Sequence, residues 1–134
     1  MTGRHLPAWV RRRRRDAVEP AVLEELASAM TAGDTDGIRA LLLPDVELVI
    51  DSGEAPASTG EGGSRGKRDA AVIALSALVA PETSTLLSSV NGVPGLVLCR
   101  AGVVEGVVTA AMHDRLLSRI WVVCNPAKLR HWNR

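Results

Sequence analysis

The sequence predicts an α+β domain in which a cone-shaped, curved antiparallel sheet packs against three helices. Three observations carry that prediction. The first half shows apolar residues at helical spacing. The second half is a series of strand-like runs joined by short turns. The length of 134 residues is one domain's worth, enough for one sizeable core.

Composition narrows the core further. With 46% hydrophobic residues the bulk is globular. Three Trp are the only aromatics of the Phe, Trp and Tyr set, so Val, Leu, Ile and Ala must build the interior. That composition speaks against a pocket made to stack flat rings, whose walls are usually aromatic.

Residues 1–18 read as a basic arm or linker remnant and residues 19–134 as the folded domain. The arm carries Arg4 and the run Arg11, Arg12, Arg13, Arg14 and Arg15 against Asp16, a net of +5, while the remainder nets −4. Five adjacent arginines repel one another and favour an extended, solvated segment. Nucleic-acid contact through charge alone is the functional alternative for these five residues. No aromatic ladder or recognition motif accompanies them, so a solvated linker is preferred.

Two helices are expected in "EPAVLEELASAMTAGDTDGIRALLLPD". Pro20 suits a first turn, Val22, Leu23, Leu26, Ala29 and Met30 recur at helical spacing, and Gly33 ends the first helix. Asp34 caps a second, which carries Ile38, Leu41 and Leu42 and is stopped by Pro44. "VELVI" (46–50) is a strand, "DSGEAPASTGEGGSRG" (51–66) a flexible loop, and 67–80 a third helix ending before Pro81. "STLLSSVNG", "VPGLVLCR", "VVEGVVTAAM" and "LLSRIWVVC" follow as antiparallel strands, with turns at Ala101-Gly102 and His113-Asp114-Arg115.

Several chemistries find no support in the pattern. Cys99 and Cys124 sit in apolar runs without metal-ligand spacing and read as buried free thiols of a reducing compartment. His5, His113 and His131 lack a companion at metal-ligand spacing, so neither a metal nor a cofactor is expected. No run is long enough for a membrane span, and no apolar stretch of signal-peptide type follows Arg15. A cytoplasmic location is the resulting expectation.

The stretch "AMTAGDTDGIRALLLPDVELVIDSG" resembles the SnoaL-like domains of the nuclear transport factor 2-like superfamily, through its Gly-Asp pair between helices and its Leu-Leu-x-Pro-Asp-Val entry into a strand. "VNGVPGLVLCRAGVVEGVVTAAMHDRLLSRIWVVCNPAKLRHW" is more specific. It resembles the end of the SnoaL-like domain fused to certain extracytoplasmic-function RNA polymerase sigma factors, which typically closes on Asn-Pro-Asp-Lys-Leu. Asn125, Pro126, Lys128 and Leu129 match that motif, and Ala127 departs from it. The family's Asp-Gly-Gly-Gly-Lys-type motif is replaced by Asp51-Ser52-Gly53-Glu54. The resemblance covers about residues 19–132. The sigma regions that bind promoter DNA are not in the sequence, which leaves a stand-alone paralogue or a truncated product, and direct DNA binding is not expected.

The resemblance implies two readings. The first is a non-catalytic regulatory domain in transcription, which would bind sigma-factor regions or RNA polymerase through the mouth of the cone and the tail residues Asn125, Pro126, Lys128, Leu129 and Trp132. A small apolar ligand and a homodimer formed through the sheet also belong to this reading. The second is an isomerase, cyclase or dehydratase using Asp51, Glu47 or Glu105 as general base inside the cone. Strand alternation aligns Glu47 with Val49 and Asp51, Glu105 with Thr109, and Arg119 with Trp121. Thr109, Arg119 and Trp121 are thereby pocket candidates, although an antiparallel sheet often has one wet face and alternation alone leaves both options open.

Overall fold

The computed structural model describes residues 17–53, 57–58 and 63–133. Helix α1 (Pro20–Ala32) begins with its proline, and Gly33 leaves it in the left-handed conformation, φ 68°, so that the Asp34 N–H donates to the Ala29 carbonyl at 2.9 Å. Helix α2 (Thr35–Ala40) is capped by the Asp34 carboxylate, which accepts from the Gly37 N–H at 2.9 Å. Helix α3 spans Gly63–Ala77. The strands are β1 (Leu42–Asp51), β2 (Ala57–Ser58), β3 (Ser84–Val90), β4 (Val93–Arg100), β5 (Val103–His113) and β6 (Leu116–Val123). A short 3-10 turn, Arg130–Asn133, follows.

The six strands form one sheet in the order β2-β1-β6-β5-β4-β3. All neighbours are antiparallel except β1 and β6, which run parallel. The sheet is therefore mixed, where the sequence alone predicts an antiparallel one. Short turns reveal only hairpins. Pairing β1 with β6 takes a connection spanning most of the domain, as parallel neighbours require. Helix α3 packs on β1 and α1 on β3 and β4, with α2 between the helices.

One face of the sheet and the helices enclose the core. Leu23, Leu26, Ile38, Leu48, Leu75, Val108, Leu117 and Ile120 are all fully buried there, and among the described residues none of the buried ones is polar or charged. Val18 joins this core, and Ala17 makes an antiparallel bridge to Ala111. Among the described residues, no helix is long and apolar enough to cross a membrane.

Four local expectations are corrected. Leu41 caps α2 and Leu42 opens β1, because the Leu117 N–H donates to the Leu41 carbonyl at 2.8 Å and captures the chain into the sheet. Pro44 consequently lies inside β1 and stops no helix. It sits where the β1–β6 register is irregular, between Leu42 and Glu47, so its missing N–H breaks no ladder bond. Helix α3 is shifted towards the N-terminus and ends at Ala77, as Ala80 and Thr83 close a turn by donating to one another's oxygens. The expected loop 51–66 also holds β2, which pairs with Val49 and Ile50.

Three two-residue hairpins link β3 to β6, and each has positive φ at both turn positions: Asn91-Gly92, Ala101-Gly102 and Asp114-Arg115. This is the turn geometry that matches strand twist, and it favours Asn-Gly. Ala101, at φ 53°, pays for its side chain in that conformation. Ala101→Asn is expected to stabilise the fold by about 0.5–1 kcal/mol, seen as a higher urea midpoint with an unchanged slope.

Candidate functional site

Residues directly opposite on neighbouring strands share a face, so the register maps the side of the sheet away from the helices. Three rows cross it. Glu47, Arg119 and Ala111 form the first, and Val49, Trp121 and Thr109 the second. Asp51, Val123, Val107, Val97 and Leu86 form the third.

The first two rows floor a concavity of about 770 Å³, open to solvent, with Asp45, Glu47, Thr109, Arg119, Trp121 and Ala17 among its lining residues. Arg119 is held twice. Its Nη2 lies 3.3 Å from Glu47 Oε2, and its guanidinium carbon lies 5.6 Å from the centre of the Trp121 ring. Trp121 remains 36% exposed, which leaves aromatic surface available inside the concavity. Asp45 has no ion-pair partner among the described residues.

The third row is treated differently. Val97 and Val107 are 3% and 4% exposed on this face. The chain beyond β6 is tied to the domain at both ends. The Cys124 N–H donates to the Asp51 carbonyl at 2.8 Å, and the Asn125 side-chain oxygen accepts from the Ala127 N–H at 3.0 Å, forming a tight turn. Lys128 Nζ then donates to Asp51 Oδ2, and Leu129 is buried at 3% exposure. At the far end the Asn133 amide pairs with both backbone groups of Val104, accepting at 2.7 Å and donating at 3.1 Å.

Electrostatics follows from these contacts. Asp51 is held below the ordinary carboxylate range, first by the Lys128 hydrogen bond and then by the Gly53 N–H, which donates at 3.2 Å. Cys124 is pushed up by burial and, less, by the Asp51 charge. Both cysteines are free and only half-buried, where the sequence predicts buried thiols. Glu105 shares Arg100 with Glu82, at 2.9 and 3.3 Å, and the favourable pairs raise Arg100 further.

The residues singled out from sequence thus fall into separate places. Thr109, Arg119 and Trp121 come together in the concavity with Glu47. Asp51 belongs to the tail contact, and Glu105 to a surface ion pair. Of the tail residues, Lys128 and Leu129 are engaged with the domain, Trp132 is half-buried with its ring 5.6 Å from that of His131, and Pro126 is exposed. Arg11, Arg12, Arg13, Arg14 and Arg15 lie outside the described residues. Among the described residues no group of His, Cys, Asp and Glu could hold a metal ion. Sequence reading missed Asn133, whose side-chain pairing with a strand backbone leaves no spacing signal, and Asp45, which alternation from Glu47 does predict.

The chain matches no protein-family model and no curated protein sequence. Its fold, however, is that of solved nuclear transport factor 2-like proteins, the α+β cone of the SnoaL-like domains. The extracytoplasmic-function sigma factor SigJ of Mycobacterium tuberculosis is similar at TM-score 0.57 and 23% identity, over 92% of this chain and 48% of that one. A Kribbella flavida protein assigned as a ketosteroid isomerase is similar at TM-score 0.55 and 14% identity, over 78% of this chain and 75% of the other. A nuclear transport factor 2-like protein of unknown function from Silicibacter pomeroyi is similar at TM-score 0.50 and 18% identity, over 76% and 88%.

Three substitutions test the tail. Leu129→Ala is expected to cost about 2–4 kcal/mol of stability, as for a buried Leu truncation elsewhere, and Asn133→Ala about 1 kcal/mol through the unpaired Val104 backbone; chemical denaturation measures both. Because Asp51 titrates lower in the folded than in the unfolded chain, its stabilising share is complete above the unfolded value. It is lost as the pH falls through the folded one. Stability should therefore drop below about pH 4, and Asp51→Asn should flatten that part of the profile.

Proposed function

We propose that this is a non-catalytic regulatory domain of the kind fused to extracytoplasmic-function sigma factors, with sigma-factor regions or RNA polymerase as the partner. The contact surface in this reading is the open part of the outer sheet face, around Trp121 and Thr109. The observation that carries it is the state of the three carboxylates a general base would be drawn from. Each is partly exposed and held by a cation: Glu47 by Arg119, Asp51 by Lys128, and Glu105 by Arg100, which Glu82 shares. A general base works best with a pKa near the ambient pH, reached by burial in apolar surroundings. Asp51 departs in the opposite direction.

The concavity supports a macromolecular contact by its chemistry. It offers an aromatic ring, a guanidinium, a carboxylate and a hydroxyl on a rigid sheet, the mixture found at the anchoring centres of protein interfaces. The fold similarity to SigJ, which reaches almost the whole of this chain, agrees with a domain that works beside sigma regions. The test is binding of purified sigma-factor regions and of core RNA polymerase to the full chain, followed by Trp121→Ala. Binding by the native chain, weakened about tenfold or more by removal of the aromatic anchor at unchanged fold stability, is the expected outcome. Absence of binding by the native chain would overturn the reading.

A further inference from the structure

We propose that the outer edge of β3 is a docking site for a second copy of this chain, the two β3 strands pairing antiparallel across a two-fold axis so that the sheets join. β3 ends the sheet, and no described strand pairs with its other side. Sheets usually blunt such an edge with charge, proline, a bulge or a very short strand. At the opposite end of this sheet β2 is only two residues long. β3 carries none of these devices. Its residues, "STLLSSV", hold no charge and no proline, and their pairing with β4 runs unbroken from Ser84 to Val90. Leu86 adds an aliphatic side chain that is 62% exposed.

The phase of the β3–β4 ladder identifies the backbone groups on offer. The Asn91-Gly92 hairpin makes Val90 and Val93 a pair that exchanges backbone bonds, and such pairs alternate along the strands. The backbone groups of Ser84, Leu86 and Ser88 therefore point to β4, and those of Thr85, Leu87 and Ser89 point to the outer edge. Pro94, opposite Ser89, has no N–H to give, which agrees with that phase. A two-fold axis through Leu87 sets Leu87 opposite the partner's Leu87, and Thr85 opposite the partner's Ser89. Each of these pairs exchanges its outward backbone bonds. Leu86 then lies opposite the partner's Ser88 and diagonal to the partner's Leu86, within reach of its side chain. On the helix side a groove of about 650 Å³ lies beside the same edge, with Ala27, Ser28 and Thr31 of α1 among its lining residues together with Thr85 and Leu87. Those small α1 side chains leave room for the partner's Thr85 and Leu87. Self-pairing brings a strand against its own copy, where any charge would meet a like one, and an uncharged strand escapes that repulsion. The same absence of charge gives a charged segment nothing to match on β3, which favours a second copy as the occupant. Thr109 and Trp121 lie on β5 and β6, away from this edge, so the inference is independent of any partner bound in the concavity.

The experiment is analytical ultracentrifugation of the full chain from about 1 μM to about 1 mM, joined to amide hydrogen exchange at both ends of that range. A monomer–dimer equilibrium is expected. In the dilute chain the amides of Leu86, Ser88 and Val90 should be protected while those of Thr85, Leu87 and Ser89 exchange, and in the concentrated chain the second set should become protected too. Leu86→Lys brings like charges together across the axis, and Ser89→Pro removes an outward N–H without breaking the β4 ladder. Each should weaken dimerisation at least about tenfold, whereas Trp121→Ala should leave it unchanged. A chain that stays monomeric at the highest concentration overturns the proposal, whatever its amide protection. So does a dimer in which the Thr85, Leu87 and Ser89 amides still exchange, one that Trp121→Ala dissociates, or one that both edge substitutions leave intact.

Discussion

The register between β1 and β6 is the constraint on which the rest depends. It pairs Leu48 with Ile120 and Glu47 with Arg119, so one alignment fixes both faces of the sheet. The first pair faces α3 and the core; the second faces away. Because side chains alternate with a period of two, a slip of one residue by either strand would send Glu47 or Arg119 into a core whose buried described residues are all apolar. Burying that lone charge without its partner would cost several kcal/mol, while Leu48 or Ile120 would lose its place against the helices. The register is therefore specified by burial on one side, and the pairing of residues on the outer face is its by-product.

This division explains what could be read from sequence. The hairpins were legible because Asn91-Gly92 and Ala101-Gly102 are turn signals between apolar runs. Asp114-Arg115 carries no glycine, yet the strands on either side define it. The grouping of Arg119 with Trp121 was equally legible, since alternation needs only chain order. Alternation does not say which face receives the helices, and it gives no clue that β1 runs parallel to β6. Pro44 misled for a related reason. Taken alone it ends a helix, but its neighbours Leu41 and Leu42 are claimed by Leu117, a partner more than seventy residues away. Tertiary pairing overrides local propensity there.

The tail shows how a motif can be legible while its chemistry is not. Lys128 and Leu129 are recognisable as part of a terminal signature, and in the fold Lys128 pairs with Asp51 while Leu129 is buried. A lysine on an otherwise acidic domain looks free for a partner until Asp51 is placed beside it. That placement depends on β1 ending next to β6, so the meaning of the tail again derives from the parallel pair. Asn133 completes the attachment by answering both polar groups of Val104, which a strand at that position would otherwise present to water.

The outer face is consequently split along its length. At the end nearer Asp51, Val97 and Val107 are buried, and so is Leu129 of the tail segment that Lys128 ties to Asp51. At the other end Trp121, Thr109 and the Glu47–Arg119 pair stay open, in a hollow that register shifts at Leu42/Glu47 and Ala111/Met112 help to bend. A flat, uniformly apolar face would pair indiscriminately with any similar sheet. Burying Val97 and Val107 while the aromatic and charged rows stay exposed lessens that general stickiness, although Leu86 at the end of the aliphatic row is 62% exposed. Specificity in such a site comes from what a wrong partner leaves unpaired. Asp45 is the group that would impose this cost, since it lines the hollow without an ion-pair partner among the described residues and an uncharged occupant would strip it of water without replacing it.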